Sequence, residues 1–138
     1  VALGAAYGTG RYQGKLTTDA EGRFAFRTVR PAGYPVPMHG PAGRLLEAQR
    51  RHPYRPAHLH FLVLKPGYKV MISMIYPDDD PDLERDVVFG VKKPLICPFR
   101  RHVSGTPPAE DVTGEWYTAE TRLVLQPGPT ILPEPPIK

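Results

Sequence analysis

The strongest strand signal in the chain is AHLHFLVLKPGYKVMISMIY, which runs from residue 57 to residue 76. Its two halves, Ala57–Lys65 and Tyr68–Tyr76, are dominated by the apolar and aromatic side chains that favour strands. Pro66 and Gly67 stand between the halves, and this pair is typical of a tight turn. The pattern therefore predicts two adjacent strands joined by a short connection.

The sequence on either side predicts further short elements. Arg11–Thr17 and Arg23–Val29 are expected to be strands around the polar turn Thr18–Gly22. Phe24 and Phe26 should share one face of the second strand, because successive strand residues alternate between faces. The remaining expected elements are a short helix and two later strands: Pro41–Arg51, Pro94–Arg101 and Trp116–Leu125.

The composition favours a mainly all-β fold. The chain has 138 residues with 18 prolines and 13 glycines, and proline breaks helix interiors, so an all-helical fold is excluded. Short strands with proline-rich turns favour a two-sheet β-sandwich with one short helix and long Pro-rich loops. We expect one domain over residues 1–138, with residues 127–138 forming an extended Pro-rich tail.

Cysteine content and charge limit the functional classes. Cys97 is the single cysteine, so an intrachain disulfide or a Cys-based zinc cage is excluded, and its apolar surroundings predict an inert buried thiol. No apolar run is long enough to span a bilayer, so we expect no membrane partner. The single cysteine suits a reducing compartment, and we expect a cytoplasmic location. The net charge of +4 favours anionic partners.

A basic cluster lies on and after the predicted helix; its members are Arg44, Arg50, Arg51 and Arg55. A nucleic-acid partner is not expected, because no recognised binding module or set of base-stacking aromatics accompanies the cluster. Attraction of a small anionic molecule is the simpler role.

His58 and His60 form the sharpest local motif. Residues two apart on a strand point to the same face, about 6–7 Å apart, so both imidazoles could bind one metal ion. Alone the motif is weak, because exposed histidine pairs are more often solvated. The same face continues as Leu62 and Leu64, however, and imidazoles on a partly apolar surface need polar partners.

Tyr34 and Arg55 stand out less by themselves. Tyr34 lies in a loop stiffened by three prolines, and an amphipathic tyrosine there would ordinarily pack its ring and solvate its hydroxyl. Arg55 precedes His58 by three residues and would ordinarily be a solvated cation. Neither residue indicates a function without the motifs around it.

Those motifs, in chain order, are TDAEGRF (18–24), GYPVP (33–37), GP (40–41), RHPYRPAHLHF (51–61), DP (80–81), VFGVK (88–92) and LVLQPG (123–128). Together they resemble the intradiol ring-cleavage dioxygenases over about residues 11–128. The run RPAHLHF with the upstream GYP is the most specific part. The run RHPYRPAH is most similar to hydroxyquinol 1,2-dioxygenases.

The resemblance implies a catalytic domain with a mononuclear non-haem Fe(III) ion held by two tyrosines and two histidines. Tyr34 matches the second ligand tyrosine, and it would also accept a substrate proton as a general base. His58 and His60 match the ligand histidines, and Arg55 matches the arginine that stabilises charge on the activated substrate. The implied reaction cleaves a catechol-type or hydroxyquinol-type diol with dioxygen to a muconate-type diacid.

The sequence departs from the family pattern at several positions, among them the first ligand tyrosine, Tyr12 and Met74. The segment that carries the first ligand tyrosine is missing or shortened, and Tyr7 is the candidate that could replace it. Tyr12 falls where relatives are apolar, which favours strand packing for that side chain. Met74 stands near the substrate where relatives carry glutamine or histidine, and methionine cannot donate a hydrogen bond.

The resemblance does not decide the oligomeric state, and two other functions stay open beside it. The N-terminal helical domain that catechol 1,2-dioxygenases use to dimerise is not present in this sequence, so the oligomeric state is open, with a homodimer as one option. A non-catalytic β-sandwich binding module, or a fragment with an incomplete metal site, is the alternative to an enzyme. A weak zinc or copper site formed by His58 and His60 alone is a third hypothesis.

Overall fold

Short strands joined by long loops make up most of the chain, in a computed structural model that describes residues 14–132. The strands and helix, in chain order, are β1 (Tyr34–Pro35), α1 (Pro41–Ala48), β2 (Tyr54–Arg55), β3 (Leu59–Val63), β4 (Met71–Pro77), β5 (Ile96–Cys97), β6 (Phe99–His102) and β7 (Trp116–Ala119). A single 3₁₀ turn, Lys93–Leu95, precedes β5. This is the mainly-β composition that the sequence predicts; the two-sheet sandwich and the one-domain organisation stay predictions.

The strands form three small sheets, ordered β1-β2, β3-β4-β5 and β6-β7. The chain divides into two compact units. Of the described residues, the first unit contains 14–29, 59–74 and 122–132, and the second contains 30–58 and 75–121. Among the described residues, no helix has the length and apolar character that a membrane span needs.

In the first unit, β3 and the beginning of β4 confirm the predicted strand pair, with shorter strands than expected. The connection turns at Gly67, whose φ of 80° favours glycine, and the Tyr68 N–H donates to Lys65 O at 3.1 Å. A later segment fastens this turn, because Gly128 N–H donates to Gly67 O at 3.0 Å. Phe61 and Val63 of β3 are buried in the core of this unit.

The predicted strand Arg23–Val29 is wrong, and no strand covers residues 14–17 of the other predicted arm. The polar turn between them is confirmed: the Asp19 carboxylate accepts the N–H groups of Glu21 and Arg23 at 3.1 and 2.8 Å. Phe24 and Phe26 still share a face, since both rings pack edge-on against Phe61 at 6.3 and 6.4 Å. Side-chain packing holds this segment without a regular strand ladder.

In the second unit, α1 confirms the predicted helix but ends earlier than expected, after Ala48. Arg50 adopts a φ of 53°, and the Arg51 N–H reaches back to Leu46 O at 2.9 Å, which is a left-handed helix terminus. Gly43 is buried on the inner side of α1, where a Cβ would overlap the Met38 backbone.

The two later strand predictions are confirmed in part. Pro98 divides the first of them into β5 and β6, because proline has no N–H to donate to a ladder. β5 pairs in parallel with the end of β4, matching Tyr76 to Ile96. β6 pairs antiparallel with β7 from Phe99↔Ala119 to His102↔Trp116, so β7 ends where its partner begins. Cys97 is buried, as predicted.

Candidate functional site

Tyr34 and Arg55 are brought together by the two-stranded sheet of the second unit. β1 and β2 pair antiparallel with Tyr34 opposite Arg55, and the Val36 N–H donates to Pro53 O at 2.9 Å. The strands approach closely at Gly33, where a Cβ would lie 2.9 Å from Arg55 O. Glycine is therefore required beside Tyr34 for this pairing to form.

His58 follows two buried residues, Pro56 and Ala57, which direct its imidazole back toward β1. Its Nδ1 lies 2.7 Å from Pro56 O, so Nδ1 carries the proton and donates it to that carbonyl. The other nitrogen, Nε2, then keeps its lone pair. The imidazole ring lies 5.5 Å from the Tyr34 ring and 5.8 Å from the Tyr76 ring.

One guanidinium nitrogen joins these groups. Arg55 Nη1 lies 3.2 Å from His58 Nε2 and 3.5 Å from Tyr34 Oη, and as a donor it points at both acceptors. A phenol oxygen and an imidazole nitrogen thus face the same guanidinium nitrogen. These are two donor types that bind iron, and the fixed Nδ1 proton is the arrangement usual for a metal-ligating histidine.

Asp86 supplies the countercharge to Arg55. Arg55 Nε donates to Asp86 Oδ1 at 3.2 Å, and the two residues are only 8% and 3% exposed. Burial alone would lower the pKa of Arg55, but the hydrogen bond and charge of Asp86, with a smaller contribution from Tyr34, raise that pKa above its usual value. Arg55 is therefore a fixed cation rather than the solvated side chain that it would be in isolation.

Tyr76 lines the inner side of this group and is fully buried. Burial raises the pKa of its phenol, and the charge of Asp86 raises it further, while Arg55 opposes both. Tyr76 is thus a neutral phenol under ordinary conditions, in contact with the same Arg55–Asp86 pair.

Asp80 holds the backbone between Arg55 and His58. Its Oδ2 accepts the N–H of buried Ala57 at 2.9 Å, and its Oδ1 accepts the Asp82 N–H at 2.9 Å. The neighbouring Asp79 is exposed, whereas Asp80 is half-buried and bonds inward.

The other predicted site residues lie elsewhere in the chain. His60 lies in β3 and Met74 in β4; both belong to the first unit and are half-buried. Tyr7, the candidate for the first tyrosine ligand, lies outside the described residues. Within residues 14–132, no group of three or more His, Cys, Asp or Glu side chains could hold a metal ion.

Two open surface cavities, of about 490 and 540 Å³, are lined by other residues. The first lies beside Trp116 at one end of β7 and the second beside Ile72 in β4. We assign the candidate site to the cluster around Arg55 instead, because buried charge and convergent donors indicate chemistry more directly than cavity volume does.

Sequence reasoning missed Asp86, Asp80, Tyr76 and Gly90. The one available signal was the spacing of Asp86 and Gly90 within DVVFG (86–90), which is compatible with an aspartate-capped turn. That spacing predicts a turn, but it does not predict that the Asp86 carboxylate also binds Arg55.

Comparisons with known proteins agree with the motifs. A family model described as "Dioxygenase" matches residues 8–122. The chain is 46% identical over 89 residues to the hydroxyquinol 1,2-dioxygenase of Rhizobium sp. (strain MTP-10005), covering 64% of this chain and 30% of that protein. It is 42% identical over 127 residues to the hydroxyquinol 1,2-dioxygenase of Rhodococcus opacus, covering 88% of this chain and 42% of that protein.

A solved structure of a relative is also similar to this chain. The hydroxyquinol 1,2-dioxygenase from Pseudomonas putida DLL-E4 matches with a TM-score of 0.76 and 35% sequence identity. The match covers 86% of this chain and 42% of that chain. The chain therefore spans less than half the length of each of these relatives.

Proposed function

Because the chain belongs to the intradiol ring-cleavage dioxygenase family, we propose that it carries out Fe(III)-dependent cleavage of a catechol-type diol. The substrate would be of the catechol or hydroxyquinol class, and both atoms of dioxygen would enter a muconate-type diacid. The observation that carries the proposal is the convergence of Tyr34 Oη and His58 Nε2 on one guanidinium nitrogen of Arg55. The names of the relatives favour hydroxyquinol.

We propose that Tyr34, His58 and His60 hold the iron, with Tyr7 as the candidate for a fourth protein ligand. The donor chemistry fits, because phenolate oxygen is a hard anionic donor that favours ferric over ferrous iron. The neutral His58 tautomer adds a nitrogen donor without requiring deprotonation. When bound, ferric iron would act as a Lewis acid that favours the deprotonated forms of tyrosine and diol.

Each residue of the cluster would then have a defined task. The Tyr34 phenolate would accept a proton from a diol hydroxyl, which is a general-base role. The Arg55 guanidinium would stabilise the negative charge of the deprotonated diol, and it is already fixed by Asp86 before the substrate arrives. The Pro56 carbonyl would keep His58 in one tautomer throughout.

Met74 would lie near the substrate. Its thioether cannot donate a hydrogen bond to a ring hydroxyl, so this position would contribute packing rather than polar recognition. The two-sheet sandwich and the cytoplasmic location remain part of the proposal, as does an open oligomeric state.

The experiment is oxygen uptake by the full chain after aerobic loading with Fe(III), with hydroxyquinol and with catechol as substrates. We expect uptake equal to diol consumed, and a product that contains both atoms of isotopically labelled dioxygen. His58→Ala should lose iron and activity. The control is His39→Ala, which removes an exposed histidine of the same unit and should retain both.

Two kinds of result would contradict parts of the proposal. A wild-type chain that takes up no iron, or that holds iron and consumes no oxygen with either diol, would favour a non-catalytic binding module. Equal activity in His58→Ala and wild type would remove His58 from the metal site.

A further inference from the structure

Asp86 is tied more firmly than a simple countercharge requires. Its Oδ1 accepts Arg55 Nε at 3.2 Å and the Val88 N–H at 3.3 Å, and its Oδ2 accepts the Gly90 N–H at 2.8 Å. Its main-chain carbonyl also accepts the Phe89 N–H at 2.9 Å. Because both carboxylate oxygens and the carbonyl are used, the carboxylate cannot rotate without breaking the 86–90 turn.

This fixed carboxylate determines the direction of the Arg55 guanidinium. The guanidinium is planar and rigid, so holding Nε also fixes the position of the Nη atoms. Arg55 gives Nε to Asp86 and Nη1 to Tyr34 and His58. The hydrogen bond from Nε to Asp86 therefore orients the Nη1 group, which faces the proposed ligands.

Gly90 allows the turn to close against the pair. A Cβ at Gly90 would lie 2.8 Å from Tyr76 Oη, 3.1 Å from Asp86 Oδ2 and 3.4 Å from Arg55 Nη2. Any larger residue would push on the carboxylate, the guanidinium and the buried phenol together. The turn thus packs directly onto the charged groups that it positions.

A buried ion pair is weak evidence for a stabilising role. Desolvation of two charges offsets most of their attraction, and apolar replacements of similar volume are often as stable. The Arg55–Asp86 pair is buried, hydrogen-bonded and adjacent to the candidate site. Its presence is better explained if one partner orients the other.

We infer that Asp86 is the positioning residue for Arg55, and that it directs Nη1 toward an anionic diol bound at Tyr34 and His58. The inference rests on the proposed function for the identity of the ligand. The orientation of Arg55 by Asp86, in contrast, can be tested without any activity.

The test compares Asp86→Asn and Asp86→Glu with wild type, and uses Asp82→Asn as control. Asp82 also pairs with an arginine, Arg85, but that arginine is exposed. We expect Asp86→Asn to bind iron as wild type does, to lower kcat about 10²-fold, the scale of a small misplacement of a reacting group, and to change KM much less. Asp86→Glu restores the charge and should recover part of kcat, and Asp82→Asn should match wild type.

A second readout uses ¹⁵N NMR of arginine side chains in the full chain without added iron. The Arg55 Nε–H signal, identified by its loss in Arg55→Lys, should be protected from exchange in wild type and lose that protection in Asp86→Asn. An unchanged Arg55 signal would overturn the inference. Unchanged kcat per bound iron in Asp86→Asn would overturn it as well, even if the variant melts at a lower temperature.

The two readouts separate the inference from the proposed function. If the wild-type chain consumes no oxygen with either diol, the proposed function fails, and the NMR result alone decides whether Asp86 orients Arg55. If the wild-type chain is active and the NMR signal is insensitive to Asp86, the inference fails while the proposed function stands.

Discussion

Replacing Asp80 by alanine is expected to destabilise the site from a position that touches none of the proposed ligands. Asp80 makes two hydrogen bonds from its carboxylate to backbone N–H groups, those of Ala57 and Asp82, each at 2.9 Å. Hydrogen bonds to charged groups contribute about 1.5–3 kcal/mol each. Ala57 is 3% exposed, so its N–H would lose its acceptor without gaining water, whereas the half-buried Asp82 N–H can partly hydrate.

We therefore expect Asp80→Ala to lower the free energy of unfolding by about 2–4 kcal/mol. Because Ala57 lies between Arg55 and His58, the variant should also bind Fe(III) less tightly. Urea unfolding measures the first effect and iron retention during dialysis measures the second. The control is the neighbouring Asp79→Ala, which removes an ion pair with Arg30 that is largely solvent-exposed and is worth at most about 1 kcal/mol. Equal losses in the two variants would refute the anchoring role of Asp80.

Three further predictions concern individual side chains. Gly33→Ala should cost about 1–3 kcal/mol in urea unfolding, because its Cβ would press on Arg55 O, while Gly14→Ala, with no atom within 4 Å, should be neutral. Arg55→Lys should keep bound iron but lower kcat in the oxygen-uptake assay by about 10²–10³-fold, since an ammonium cannot span the three partners of the guanidinium. Burial raises the pKa of the Cys97 thiol in the folded chain above its value in the unfolded chain. The stabilisation from the neutral thiol is therefore complete below the unfolded pKa and is lost as the pH rises through the higher folded pKa. The unfolding free energy of wild type should accordingly fall relative to Cys97→Ala as the pH rises above the unfolded thiol pKa of about 8.5.

The chemistry of the candidate site was proposed from family motifs and not from local strand patterns. Tyr34 was expected in a proline-stiffened loop and no strand was expected at Arg55, so the short strands β1 and β2 that pair these residues were not predicted. His58 was predictable as a donor, but not its tautomer, which depends on a carbonyl only two residues away. The family motifs therefore proposed the chemical groups, but they gave neither the protonation of these groups nor the distances between them.

The acidic partners of the site were not predictable, because they come from distant loops. Asp86 is 31 residues from Arg55, and Asp80 is 23 residues from Ala57. Neither carboxylate lies in a helix or strand, so no periodicity indicates which way it points. Asp79 and Asp80 are neighbours of the same type, yet one is exposed and the other is bonded inward.

The strand predictions failed where alternation alone supported them. Phe24 and Phe26 share a face as the pattern predicts, but they do so by packing against Phe61 and not within a strand ladder. The strand pair on either side of Gly67 was predicted correctly because its apolar content and its turn residues agreed. Proline limited the later strands, since Pro98 has no N–H to donate to a neighbouring strand and stands between β5 and β6.

The visible absorption spectrum of the iron-loaded chain tests the proposed Tyr34–Fe(III) site most directly. A tyrosinate bound to ferric iron absorbs visible light by charge transfer from phenolate to metal, so wild type should be coloured. Tyr34→Phe should abolish the band if Tyr34 is the single tyrosine ligand, or weaken and shift it if Tyr7 is the second; in that case Tyr7→Phe should weaken it too. Tyr54→Phe, which alters an exposed tyrosine of β2, should leave the band unchanged. An iron-containing wild type without such a band, or a Tyr34→Phe spectrum identical to that of wild type, would contradict the account.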